Sequence, residues 1–453
     1  MKKFLILLIC IFFCSIQTEA RTTNEINRLE YINLNFWKNF NDANLLENIN
    51  RVYQNNNDLK ATAHKVNEAQ RLVKISFANE LPHIGFNGYI GQIFKSSDEV
   101  FGDITIPDYT ETRFLLPLTM NYEVDIWGKN RLKTKSQKKR FEMMKQDEKS
   151  AYIYILSAFA SDYYNLIKAD KLIEYQKELI ETQKQINEFI KKRYDVGTAT
   201  LSDIVMSEKT LTFMEEDLHN LLEKQDILQN QISTIISDRA FSEIARTDSD
   251  NINVNVIIPE TINTELLDQR PDMIKSQLDL ERVGIDVKVA KRELLPSFII
   301  NGNLGFNMYS IGSSNKFLAN LGVAPTWDLF TGGKKIQMLK LQKEEYAIAV
   351  QHYEKTILKS IQETNDALYT LKSNHKKYSI SQNRLNADKK ELGYTKIREE
   401  AGTADSLDIL LKKEQLLISK KQETSLKIND IIAMINLYQA LGGINIFELQ
   451  ENL

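Results

Sequence analysis

Two aspartates stand out as groups that could do chemistry, because each closes the same kind of turn. Asp203 ends the stretch GTATLSD that begins at Gly197, and Asp408 ends GTADSLD, which begins at Gly402. Carboxylates placed alike in two such turns could work as an acid/base pair, could line a pore and draw cations, or could cap helices. Catalysis finds no second group to work with. The five histidines (64, 83, 219, 352, 375) are scattered, and no nucleophile elbow, phosphate loop or metal-spaced cluster accompanies them. The expectation is no enzyme, no cofactor and no bound metal. Capping is the plain alternative for the aspartates. Glycine accepts the left-handed geometry that ends one helix, Thr200 or Asp405 can cap the next, and an acid three positions later completes a capping box.

The elements that hold these turns recur in order. Asp58 precedes Pro82 by the spacing that separates Asp272 from Pro296, and an Asn-Gly pair follows each proline, at 87–88 and 301–302. Asp125-Ile126-Trp127-Gly128-Lys129 is echoed by Asp328-Leu329-Phe330 and Gly332-Gly333-Lys334. Four landmarks in register indicate two copies of one unit, 21–250 and 251–453. In each, a long breaker-free segment precedes the turn. Residues 129–196 contain no Gly or Pro, so they can form one helix about 100 Å long at about 1.5 Å per residue. Leu172, Tyr175, Leu179, Ile186 and Phe189 supply a coiled-coil seam. The spacing predicts helical hairpins over about 129–240 and 334–441, the second interrupted by Gly393 alone, with shorter helices over about 42–79 and 262–293.

After Pro82 and Pro296 the period changes to two. Strands are expected at about 83–95, 113–127, 297–309 and 317–330. Phe114, Leu116, Leu118, Met120, Tyr122 and Val124 alternate with Thr119, Asn121 and Glu123, and Phe298, Ile300, Leu304 and Phe306 alternate with Ser297, Asn301 and Asn303. One apolar face, one polar face and about ten residues or more suit strands that cross a bilayer, although a half-buried sheet shows the same alternation. Four strands cannot close a barrel, and lipid tolerates no open edge, so several chains must contribute.

Composition is permissive of this reading. Lys2 and Lys3 precede an apolar run from Phe4 to Phe13 and a small-x-small site at Thr18-Glu19-Ala20, which reads as a signal peptide over 1–20. Both cysteines, Cys10 and Cys14, fall inside it. Acylation at Cys14 is the alternative, disfavoured by Phe13. The net charge of −3 points to no nucleic acid. No later run of eighteen apolar residues exists, so a membrane would be crossed without helices. A secreted coiled-coil fibre explains the arms but leaves the strands without a purpose.

The ordered set of motifs resembles the TolC-like outer-membrane efflux proteins, in the branch that serves multidrug and metal efflux pumps. The resemblance is carried by Phe36-Trp37 to Asn41-Asp42, YEVDIWGK (122–129), RYDVGTATLSD (193–203), RPD (270–272), LLPSF (294–298), WDLFTGG (327–333), GTADSLD (402–408) and LYQALGG (437–443). It implies a mixed α and membrane β-barrel fold. A homotrimer would build a twelve-stranded barrel in outer-membrane lipid and a helical tunnel through the periplasm of a Gram-negative cell. It also implies partners: a periplasmic membrane-fusion adaptor and an inner-membrane transporter of the RND, ABC or MFS type. The adaptor-docking tips would be Val196, Gly197, Thr198 and Ala199 with Gly402, Thr403 and Ala404, and the constriction would be Asp408 with Glu399 and Asp203. The chain departs from the family's best-known gate. Glu399 stands where some members have Tyr, Ala404 where they have Arg, and Leu411 where they have a second Asp.

Overall fold

The computed structural model describes residues 28–447, apart from 96–99, 102–103, 106–108, 253, 256, 261 and 310–315. Residues 1–20, expected as a signal peptide, with Cys10 and Cys14, lie outside the described residues. The chain begins with helices α1 (Leu34–Lys38), α2 (Ala43–Asn55) and α3 (Asn57–Ala78). The single helix expected over 42–79 is therefore two. Asn56 is the reason: its side-chain oxygen accepts from the Leu59 N–H at 2.9 Å while its amide donates to the Ile235 carbonyl at 2.7 Å. It caps one helix and pins the break to a distant one.

Strands β1 (His83–Phe86) and β2 (Tyr89–Lys95) pair end to end with one long strand, and β3 (Val100–Phe101) and β4 (Ile104–Thr105) form a small ladder of their own. The long strand is β5 (Tyr109–Val124). The stretch 83–95 breaks at Asn87-Gly88 because Pro117 lies across the sheet there. Proline has no N–H to donate, so the ladder is carried only by its carbonyl, which accepts from the Asn87 N–H at 3.2 Å. β5 stops at Val124, short of 127, because Asp125 turns to the following helix and accepts from the N–H groups of Asn130 (3.1 Å) and Arg131 (3.0 Å). These bonds outweigh the burial that would raise its pKa, and hold the Asp125 carboxyl below its ordinary range.

The second half repeats the plan. Helix α4 (Lys129–Asp195) and return helix α5 (Leu201–Ile236) form the first hairpin; α5 ends at Ser237, left-handed at φ 60°. Helix α6 (Pro271–Arg292) starts later than the expected 262, since proline fits the first helical position and holds Arg270 extended. Then follow β6 (Ser297–Tyr309), β7 (Lys316–Thr326), α7 (Lys334–Glu400) and α8 (Ser406–Ala440). β7 ends before Trp327, and residues 327–330 are not strand. Both outgoing helices have 67 residues, and α7 runs unbroken through Gly393. Both α3 and α6 have 22.

The sheet is antiparallel, with β5 beside β6 and β6 beside β7. Register puts the apolar positions on one face: Leu116 opposite Phe306, Leu118 opposite Leu304, Tyr122 opposite Ile300, and Phe306 opposite Phe317. That face is bare. Ile90 is 71% exposed, Phe94 75% and Leu321 73%. Asn121 opposite Asn301 and Asn303 opposite Asn320 lie on the other. Two tryptophans tie the sheet to the helices: Trp127 donates its indole N–H to the Pro296 carbonyl (2.7 Å) and Trp327 to that of Leu294 (3.2 Å).

The core lies about midway along the long helices, not in the sheet. Phe36, Trp37 and Phe40 from the N-terminal segment pack with Tyr163 and Tyr164 of α4 and Tyr438 of α8, all at most 1% exposed. Phe36 stacks on Tyr438 at 4.0 Å. Nearby, buried Arg270 meets Asp272 and Glu363 at 2.7 Å each and donates to the Ala440 carbonyl, locking α6 to α7 and the end of α8.

Candidate functional site

The two hairpin tips are congruent to the bond. In the first, Gly197 (φ 76°) follows α4; its N–H donates to the Tyr194 carbonyl, the Thr198 N–H to that of Arg193 (both 2.8 Å), and the Thr198 hydroxyl to Arg193 as well at 3.0 Å. In the second, Gly402 (φ 71°) donates to Glu399, and Thr403 to Arg398 by N–H and hydroxyl, at the same three distances. A methyl on either glycine would meet nothing within 4 Å, so the positive φ alone calls for glycine. Val196, Gly197, Thr198, Gly402 and Thr403 are exposed, and Ala199 and Ala404 half-exposed. Together they form a small, nearly uncharged knob at the end of each hairpin.

Both capping boxes expected from the sequence are present. The Thr200 N–H donates to Asp203 at 2.7 Å while the Asp203 N–H donates back to the Thr200 hydroxyl at 3.3 Å. The Asp405 N–H donates to Asp408 at 3.1 Å and the Asp408 N–H to Asp405 at 2.9 Å. Bonds from the backbone and hydroxyl of Thr200 hold the Asp203 carboxyl below its ordinary range. Asp203 and Asp408 do not meet each other, and among the described residues neither has an ionic partner. Both are exposed. Glu399 is brought to the start of the return helix, where it accepts from the Ser406 hydroxyl at 2.9 Å.

An ion pair joins the two tips. Arg193, which packs 5.3 Å over the Phe189 ring, reaches Asp405 with a guanidinium-to-carboxylate separation of 2.5 Å. Asp405 thus caps α8 with one oxygen and binds the other hairpin with the second. Sequence reasoning did not find this pair. The signal was the one cap position at which the copies differ in charge, Thr200 against Asp405, together with an arginine four residues before each glycine. The equivalent Arg398 folds back on its own tip, donating to the Thr403 carbonyl at 3.1 Å.

The pyoverdine export outer membrane protein OpmQ of Pseudomonas aeruginosa is 22% identical over 90% of this chain and 87% of its own. The cation efflux system protein CusC of Escherichia coli O157:H7 is 21% identical over 90% and 88%. The crystal structure of the Campylobacter jejuni CmeC outer membrane channel superposes with a TM-score of 0.81 at 23% identity, over 93% of this chain and 91% of that one, so the two chains share a fold. The chain matches the outer membrane efflux protein family over residues 48–237 and 263–443, one segment in each half, and it belongs to that family.

Proposed function

We propose that the chain is the exit duct of an efflux assembly in the outer membrane, conducting substrates passively from a periplasmic adaptor and an inner-membrane transporter to the exterior. The observation that carries this is the open sheet: among the described residues, four strand rows with one bare apolar face and two unpaired edges. Water disfavours the face and lipid disfavours the edges, so the sheet is satisfied only within a closed barrel in a membrane. A secreted fibre would leave both faults in place. Two copies would give eight strands, whose interior side chains nearly fill; three give twelve and a lumen. A homotrimer is therefore the assembly proposed, its polar face lined by Thr119, Asn121, Asn301 and Asn303. The halves 21–250 and 251–453 are read as copies of one unit, each contributing two strand rows and one hairpin to the tunnel.

The exposed tip residues, Val196 to Ala199 and Gly402 to Ala404, are the adaptor-docking surface in this reading. Asp408, with Glu399 beside it on the same tip and Asp203 at the equivalent position of the other tip, supplies the carboxylates of the constriction. The pair formed by Arg193 and Asp405 holds the two hairpins together in the closed state. The test is single-channel conductance in planar bilayers for the wild type and Asp408→Asn. Asparagine keeps an acceptor for the Asp405 N–H, so cap and charge are separated as alanine would not allow. Cation preference lost in the variant supports the constriction. Unchanged selectivity removes Asp408 from it, and a wild type that never conducts defeats the duct.

A further inference from the structure

A cleft of about 630 Å³ opens where α4, α6 and α7 run side by side below the sheet. Its rim carries Lys135 and Lys139 from α4, Lys288 and Lys291 from α6, and Lys343 from α7. Against five lysines stands one acid, Glu281, and Lys139 is already paired with it. Among the described residues the other four lysines have no ionic partner. The floor is apolar, made by Leu280, Ile285, Val287 and the ring of Tyr346. On α6 the cleft residues 280, 284, 287, 288 and 291 recur at threes and fours and so share one face. Arg282 pairs with Asp279 and Asp286 on another part of the same helix, so the excess positive charge is local.

Gly284 lies in the middle of this floor. Glycine weakens a helix interior, and here neither usual reason for it applies. Its φ is not positive, and a methyl there would touch only the Tyr346 ring, at 3.5 Å, an ordinary contact. What the missing side chain does is leave the floor hollow beneath the tyrosine.

Cations crowded over an apolar hollow repel one another and attract an anion that can also cover the floor. We infer that the cleft binds an amphipathic organic anion. Its carboxylate, sulfonate or phosphate head is held by Lys288, Lys291 and their neighbours, and its apolar ring or chain lies over Leu280, Val287 and Tyr346. The volume is that of a small-molecule site, about 300–1,000 Å³. Lys291 is one residue from the end of α6, so the cleft begins close below the strands. The occupant comes either from the membrane, as an anionic lipid, or from solution, as a free amphiphile.

The probe pair is 1-pyrenesulfonate and the neutral 1-pyrenemethanol, titrated by fluorescence anisotropy against the full chain in phosphatidylcholine nanodiscs, with empty discs subtracted. The sulfonate is expected to bind saturably. Lys288→Gln with Lys291→Gln should weaken it by about three- to tenfold, the range for losing two partly exposed charges, and leave the alcohol unchanged. Gly284→Leu, which fills the floor, should weaken both. Conductance unchanged in these variants shows that the channel itself is intact, so a failed inference is distinguishable from a failed duct. Adding phosphatidylglycerol to the discs separates the sources: a wild-type isotherm shifted to weaker binding, and unshifted in the double variant, assigns a lipid occupant, whereas no shift assigns a free amphiphile. Equal binding of sulfonate and alcohol, or sulfonate binding indifferent to the lysine substitutions, overturns the inference.

Discussion

Breaking the contact between Arg193 and Asp405 should open the duct. Both side chains are partly exposed, 43% and 39%, so the pair resembles a surface ion pair worth about 0.2–1 kcal/mol rather than a buried one. In the proposed trimer three such pairs would act together on one closed-to-open equilibrium, about 0.6–3 kcal/mol in all, or a shift of about 3- to 150-fold. The 2.5 Å separation and the seating of Arg193 over Phe189 favour the upper half of that range, because a charge-assisted, preorganised pair gains more than a loose one. Asp405→Asn is the clean perturbation, since asparagine still accepts from the Asp408 N–H and α8 keeps its cap. Arg193→Gln is its partner. Open probability in planar bilayers should rise tenfold or more for either, and the double variant should exceed neither, as two groups acting through each other require. Additive effects, or variants that stay as closed as the wild type, would refute the reasoning.

Two further expectations concern the fold. Gly305 stands opposite Pro117, and a methyl on it would lie 2.6 Å from the Leu116 carbonyl oxygen and 2.8 Å from the Pro117 Cα. Gly305→Ala should force β5 and β6 apart, costing about 1–3 kcal/mol per chain, and lower the melting temperature of the detergent-solubilised protein; Gly322→Ala, with nothing within 4 Å, should not. Equal melting of the two would contradict the assigned register. Among the described residues Lys168 bonds only to Asn165 (2.7 Å) and Asn429 (3.1 Å), and burial, helped by the charge of Lys224, pushes it down to about 8. An unfolded lysine titrates near 10.4, so between about pH 8 and 10.4 the unfolded chain holds more protons and stability rises with pH. Melting at pH 7.5 and 9.5 should therefore show wild type gaining about 1–2 kcal/mol on Lys168→Met, and an unchanged difference would mean that the amine is solvated.

What could be read from the sequence was whatever repeats locally. Alternation in β5 and β6, the breaker-free arms and the glycine-threonine tips each depend on residues a few positions apart, and period two or 3.6 reports them directly. Two of the misplaced boundaries have distant causes. Asn56 ends a helix because Ile235 is there to receive its amide. Asn87 ends a strand because Pro117 faces it across the sheet. No window of sequence contains both partners. The same limit hid the contact between the tips, and the two halves show why that contact exists in only one direction. Each tip has an arginine before its glycine and a cap after it, but only the second cap is an acid. Thr200 offers a hydroxyl already bonded to Asp203, which leaves Arg398 to satisfy itself on Thr403. Asp405 has an oxygen left over once α8 is capped, and Arg193 takes it. In two congruent tips, one exchange of hydroxyl for carboxylate turns a pair of separate turns into a fastening between the hairpins.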